Sequence, residues 1–102
     1  MPRASLAFHP EAADEYAAAF LWYDERGAGL AAAFVGEIGR ALRLIRETPD
    51  RWPRYGARHR RILVRRFPYS LIYLLAPERI WIVAVAHTSR KPGYWRTRRV
   101  RG

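Results

Sequence analysis

His87, Arg90 and Tyr94 lie within eight residues of one another, with Lys91 and Arg96 beside them and Arg61, Arg65 and Arg66 upstream. Their side chains are suited to handling phosphate. Imidazole titrates near neutral pH and can act as base or acid. The guanidinium fork of Arg matches phosphate oxygens. A phenol can donate a proton or stack on a base. Metal-free cleavage of an RNA phosphodiester needs a base for the 2′-hydroxyl, positive charge at the phosphorus and an acid for the leaving oxygen. His87 can fill the first or last role, Arg65, Arg66 and Arg90 the second, and Tyr94 the last. The set is incomplete, because no carboxylate is placed beside it: Glu78 falls on a turn, and nothing positions Glu47 or Asp50.

Each of these residues also has an ordinary structural use. A His closing an apolar strand can anchor the next segment by hydrogen bonding, and Tyr94 and Trp95 after Pro92-Gly93 can pack the chain back on a sheet. If Arg61 to Phe67 is one strand, Arg61 and Arg65 share a face, while Arg60 and Arg66 share the other. At most one set then lines a given surface.

The charge balance points the same way as the candidate residues. The chain of 102 residues carries a net charge of +10, and all but one of its 19 basic residues are Arg. Residues 1–57 hold seven Arg and eight acidic residues, whereas residues 58–102 hold eleven Arg and one Lys against Glu78 alone. The second segment is thus +11 and implies a polyanionic partner, nucleic acid or acidic protein. With no cysteine there is neither a disulfide framework nor a thiolate metal site. His9, His59 and His87 are dispersed, and no nucleotide-binding motif is present, so neither metal nor cofactor is expected. No apolar run is long enough for a membrane span or a signal peptide, and a cytoplasmic protein is the default expectation.

The elements that must carry these residues can be read from periodicity. Ser5 to Phe8 reads as a strand. His9-Pro10 then starts a helix to about Arg26, with Ala13, Tyr16, Ala17, Phe20 and Tyr23 on its apolar face and Glu11, Asp14 and Glu15 in its first turns. Gly27-Ala28-Gly29 breaks the chain before a second helix, Leu30 to Glu47, whose stripe is Leu30, Phe34, Ile38, Ala41 and Ile45. Gly36 and Gly39 weaken it, or serve close approach to the first helix. Thr48-Pro49 stops it. After an aromatic loop, Arg61–Phe67, Tyr69–Leu75 and Ile80–His87 form an antiparallel meander, with the first strand at its edge. The expected fold is α+β, in the order β-α-α-β-β-β, with two antiparallel helices on one face of a small, mostly antiparallel sheet. One domain, residues 1–95, and a flexible basic tail, residues 96–102, are expected.

With these elements in place, Arg66, Phe67, Pro68, Tyr69 and Tyr73, followed by Ile80, Ile82, Ala84, Val85, His87, Arg90, Pro92, Tyr94 and Trp95, resemble the RelE/ParE superfamily of type II toxin–antitoxin toxins. The segments Phe8-His9-Pro10-Glu11-Ala12, Trp22-Tyr23-Asp24-Glu25-Arg26 and Thr48-Pro49-Asp50-Arg51-Trp52-Pro53 fit as well, so the resemblance covers roughly residues 6–95. It is nearest to the ParE-like, plasmid-stabilisation branch. The resemblance implies a growth-inhibiting toxin held inactive by a small, acidic cognate antitoxin. Members differ in target. Some cleave messenger RNA, usually in the ribosomal A site, and others act on DNA gyrase with no known nuclease chemistry. Gyrase action is the leading expectation, mRNA cleavage through His87, Arg90 and Arg65 or Arg66 the alternative, and a non-toxic module binding an acidic peptide the third.

Overall fold

The computed structural model describes residues 5–101. Strand β1 (Ser5–Phe8) leads into helix α1 (Pro10–Asp24) and helix α2 (Ala28–Glu47); strands β2 (Arg60–Leu63), β3 (Tyr69–Leu75) and β4 (Arg79–His87) complete the chain's regular elements. The sheet order is β1-β4-β3-β2, with β1 parallel to β4 and the other pairs antiparallel. This is the expected α+β order, with β1 at the edge.

Pro10 opens α1, and the His9 side chain caps it by accepting the Glu11 amide at 3.1 Å. Of the expected α1 stripe Tyr23 is buried and Tyr16 packs half-buried on the core, whereas Ala13, Ala17 and Phe20 are exposed and Ala12 and Ala19 are buried instead. The α2 stripe is close to that expected: Ala31, Phe34, Ile38, Ala41 and Ile45 are buried, while Leu30 is exposed. Gly36 and Gly39 make no close approach, because a Cβ at either position would meet nothing within 4 Å.

Both helices lie against one face of the sheet. Tyr23, Phe34 and Phe67 form an aromatic knot, with centroids 5.0–5.3 Å apart. Ile62, Leu71, Tyr73, Ile80, Ile82 and Val85 belong to the same core. Burying large aromatic and branched side chains in this way supplies most of the driving force for so short a chain.

Strand β2 ends at Leu63, well short of the expected Phe67. The cause is local: Arg66 adopts φ +70°, Tyr69 N–H donates to Phe67 C=O at 2.8 Å, and Val64 N–H to Tyr69 C=O at 2.9 Å. Arg65 and Arg66 therefore sit in a tight turn, and strand alternation does not govern where they point.

The second sheet face is covered from the C-terminal side. Trp95, 2% exposed, packs with Ile72, Leu74, Val83, Ala84 and Ala86, and Tyr55, Trp81, Tyr94 and Val100 close over them. Residues 96–101, expected as a flexible tail, are tied down by the Arg98 side chain and by a 2.7 Å hydrogen bond from the Trp81 indole to Arg101 C=O.

Candidate functional site

The site grows out of a gap in the sheet. Strand β1 pairs with β4 only as far as Phe8 opposite Ile82, and His9 N–H closes that ladder on Ile82 C=O at 2.8 Å. Beyond it the edge of β4 has no strand beside it. Two side chains take the strand's place. Glu15 accepts the Val85 amide at 2.9 Å, and Arg98 donates to Val83 C=O at 3.0 Å. A buried backbone edge must find partners, and here α1 and the C-terminal segment supply them.

Glu15 is the centre of this arrangement. Its carboxylate takes both terminal nitrogens of Arg98 at 2.9 Å, the Tyr94 hydroxyl at 2.6 Å and, more loosely, Arg90 at 3.4 Å. Arg98 also reaches Glu11 at 3.6 Å, and Arg90 lies over the Tyr94 ring, 3.6 Å from its centroid. Burial pushes the Glu15 carboxyl up, but hydrogen bonds from Arg98, Tyr94 and the Val85 amide outweigh it and hold the group below its ordinary range. The Tyr94 phenol is pushed far up, by burial and by the Glu15 carboxylate that accepts its proton. Tyr94 is thereby a committed donor to Glu15.

Beside this cluster α1 and the end of the sheet enclose a cavity of about 450 Å³, lined by residues that include Glu15, Trp22, Tyr69, His87 and Arg90. Within it the His87 ring meets Tyr69 edge to face at 5.1 Å. His87 Nδ1 accepts the Ser89 amide at 3.0 Å, with Ser89 Oγ at 2.8 Å. An amide can only donate, so Nδ1 is the acceptor and Nε2 carries the proton of the neutral ring. His87 thus fixes the turn that leads to Arg90. Arg90 is half exposed and brings positive charge to the same wall.

The other candidate residues are dispersed. Arg61 lies on the far sheet face, over the Tyr55 ring at 4.1 Å, in a narrow groove of about 90 Å³ that it shares with Lys91, Arg90 and His87. Arg65 lines a separate hollow with Glu37, Arg40 and Trp52, and Arg66 leans on Phe67. Arg96 faces Arg58 and His59 across another opening. The structure therefore gathers Arg90 and Tyr94 around the Glu15 carboxylate with His87 on the same cavity wall, places Arg61 and Lys91 across the rim, and keeps Arg65, Arg66 and Arg96 apart. Glu15, Arg98 and Trp22 join the site without having been singled out from sequence.

Among the described residues, no three His, Asp or Glu side chains come together as a metal site, and no helix is long and apolar enough to cross a membrane. A helical hairpin on a β1-β4-β3-β2 sheet, with a basic C-terminal segment folded over the second face, defines a toxin of the RelE/ParE superfamily. Within it the chain belongs to the ParE family: residues 6–92 match the family described as ParE toxin of type II toxin–antitoxin system, parDE. It is a type II toxin, and membership implies an antitoxin partner. A solved chain from "Chromosomal ParDE TA system from P. aeruginosa" shares its fold, with a TM-score of 0.73 and 19% identity over 84% of this chain and 97% of that one. No curated protein matches the chain in sequence.

Proposed function

We propose that this toxin inhibits growth by acting on DNA gyrase through its surface, without nuclease chemistry, and that an acidic cognate antitoxin neutralises it. One observation carries the reading: the groups that would do acid–base chemistry are already engaged within the fold. The Tyr94 hydroxyl donates a hydrogen bond to Glu15, and His87 accepts the Ser89 amide at Nδ1. What is left at the cavity, Arg90 and Trp22, suits binding to a protein surface better than proton transfer. Such a target places the toxin's action in the cytoplasm, and the chain acts as one domain over residues 1–95 with its basic end attached.

The antitoxin reading rests on a different surface. Phe20, Leu21 and Val35 are exposed on the outer side of the helical hairpin, and with Phe8, Ala13, Tyr16 and Ala17 they line an almost wholly apolar groove of about 640 Å³. An exposed apolar patch of this kind marks an interaction site. An amphipathic segment fits it as a helix in a groove, and acidic residues in that segment offset the +11 half of the toxin. The mRNA-cleaving alternative draws on His87 and Arg90 lining one cavity. Growth separates the two. Under the gyrase reading, expression without the antitoxin stops growth and His87→Ala remains toxic. Loss of toxicity in folded His87→Ala, together with cleaved messenger RNA in cells expressing the parent chain, favours the nuclease.

A further inference from the structure

A second polar site lies away from the Glu15 cluster, where the turn before β2 meets the C-terminal segment. Tyr55 N–H donates to His59 C=O at 2.8 Å and closes a turn in which Gly56 has φ +90°. Among the described residues, the amides of Gly56, Ala57 and Arg58 donate to no acceptor. The turn and Arg96 line an opening of about 470 Å³. Arg58 and Arg96 are exposed, and neither forms an ion pair among the described residues, where the salt bridges join Glu11 and Glu15 to Arg90 and Arg98.

His59 forms the floor of this opening. It is 8% exposed, its ring lies 4.4 Å from that of Trp95, and its Nε2 has no hydrogen-bond partner among the described residues. Burial lowers its pKa, and the charges of Arg58 and Arg96 lower it further, so both guanidinium groups are felt at the ring. Arg96 is fixed from behind. Gly93, at φ +84°, leaves the space in which its guanidinium lies: a Cβ there would come within 2.9 Å of Arg96 Cζ and Nε. Two cations from distant parts of the chain and a turn with unused amides thus surround one opening, with the His59 ring beneath them and its Nε2 out of reach of solvent. The arrangement presents donors with no acceptor from the described residues, the make-up of an anion site.

We propose that Arg58, Arg96 and the turn 56–58, lying over the His59 ring, form a phosphate subsite that takes a backbone phosphate of a nucleic acid. The donors come from two chain segments on different sides of the opening. A tetrahedral phosphate offers oxygens in several directions, whereas a carboxylate accepts in one plane, so the geometry favours phosphate over an acidic side chain. Such a subsite can serve the toxin whether gyrase or messenger RNA is its target.

The test is a titration of the full-length chain followed by NMR at the amides of residues 56–58 and the imidazole of His59. The probes are inorganic phosphate, a short DNA duplex and an acidic peptide free of phosphate. The proposal expects saturable shifts confined to this turn and to Arg96 with phosphate, and saturation at a concentration at least tenfold lower with the duplex. Arg58→Gln/Arg96→Gln removes both responses, leaves the rest of the spectrum in place because both side chains are at the surface, and lowers the salt slope of duplex binding by about one unit per lost phosphate contact. Saturation by phosphate with no gain from the duplex would make this a free-anion site and overturn the nucleic-acid assignment. Tighter response to the acidic peptide, or unsaturable shifts spread over all the arginines, would overturn the subsite itself.

Discussion

Replacing Glu15 by Ala removes the acceptor for Arg98, Tyr94 and the Val85 amide in one step. The carboxylate side chain is 15% exposed and that of Arg98 9%, so the pair lies largely out of water. Breaking a buried ion pair from one side costs about 3–5 kcal/mol, since the remaining charge is stranded. The lower end applies here, because the Arg98 head can turn toward the surface, so the expected loss is about 3 kcal/mol. For a domain of this size that corresponds to a fall in Tm of roughly 12–24 °C. Thermal unfolding by circular dichroism measures it. Glu15→Leu/Arg98→Met should be more stable than Glu15→Ala, because it removes both charges and fills the space. A fall in Tm below about 4 °C, near 1 kcal/mol, would refute the view that this cluster holds the β4 edge and the C-terminal segment. Acid gives a second reading of the same group. Glu15 is held below its unfolded value, so its contribution is fully present above about pH 4.3 and is lost as pH falls through the lower folded value. Below about pH 4.3 the parent chain should therefore lose stability faster than Glu15→Gln, and the two curves should converge.

Gly36→Ala and Gly39→Ala should each raise stability by about 1 kcal/mol, seen as a shift in the urea midpoint, because a Cβ at either position meets nothing within 4 Å and the helix interior favours Ala. Phe20→Asp and Leu21→Asp should weaken antitoxin binding at least tenfold by calorimetry while leaving Tm within about 3 °C, since both side chains are exposed. The parent complex should weaken as salt rises, and an affinity independent of ionic strength would count against the role given to charge.

The patterns that led from sequence to fold were those with large, unambiguous side chains. The α2 stripe of Phe34, Ile38, Ala41 and Ile45 has few neighbours that compete with it, and the apolar runs of β3 and β4 leave no alternative to buried strands. In α1 the signal is diluted by alanine. Ala12, Ala13, Ala17, Ala18 and Ala19 allow two faces one residue apart, and nothing local marks Glu15 as inward. Its inward position depends on Val85, Tyr94 and Arg98, 70 to 83 residues away, which no local pattern reports. The same holds for Arg98. As part of a run of arginines it looked like solvated charge, yet one guanidinium in that run completes the edge of the sheet. The early end of β2 had a local sign in Pro68, but the positive φ falls on Arg66, a residue type that does not announce it. Of the candidate residues, His87, Arg90 and Tyr94 could be named because they follow β4 closely, whereas Glu15, which holds Arg90 and Tyr94, could not because it lies far from them in sequence.

Supercoiling by purified gyrase, measured beside cleavage of a translated messenger RNA at equal toxin concentrations, tests the proposed function. The gyrase reading requires that the parent chain and His87→Ala both inhibit supercoiling, that the antitoxin relieves the inhibition, and that the messenger stays intact. Cleavage of the messenger that disappears in His87→Ala or Arg90→Ala, with supercoiling untouched, would overturn it.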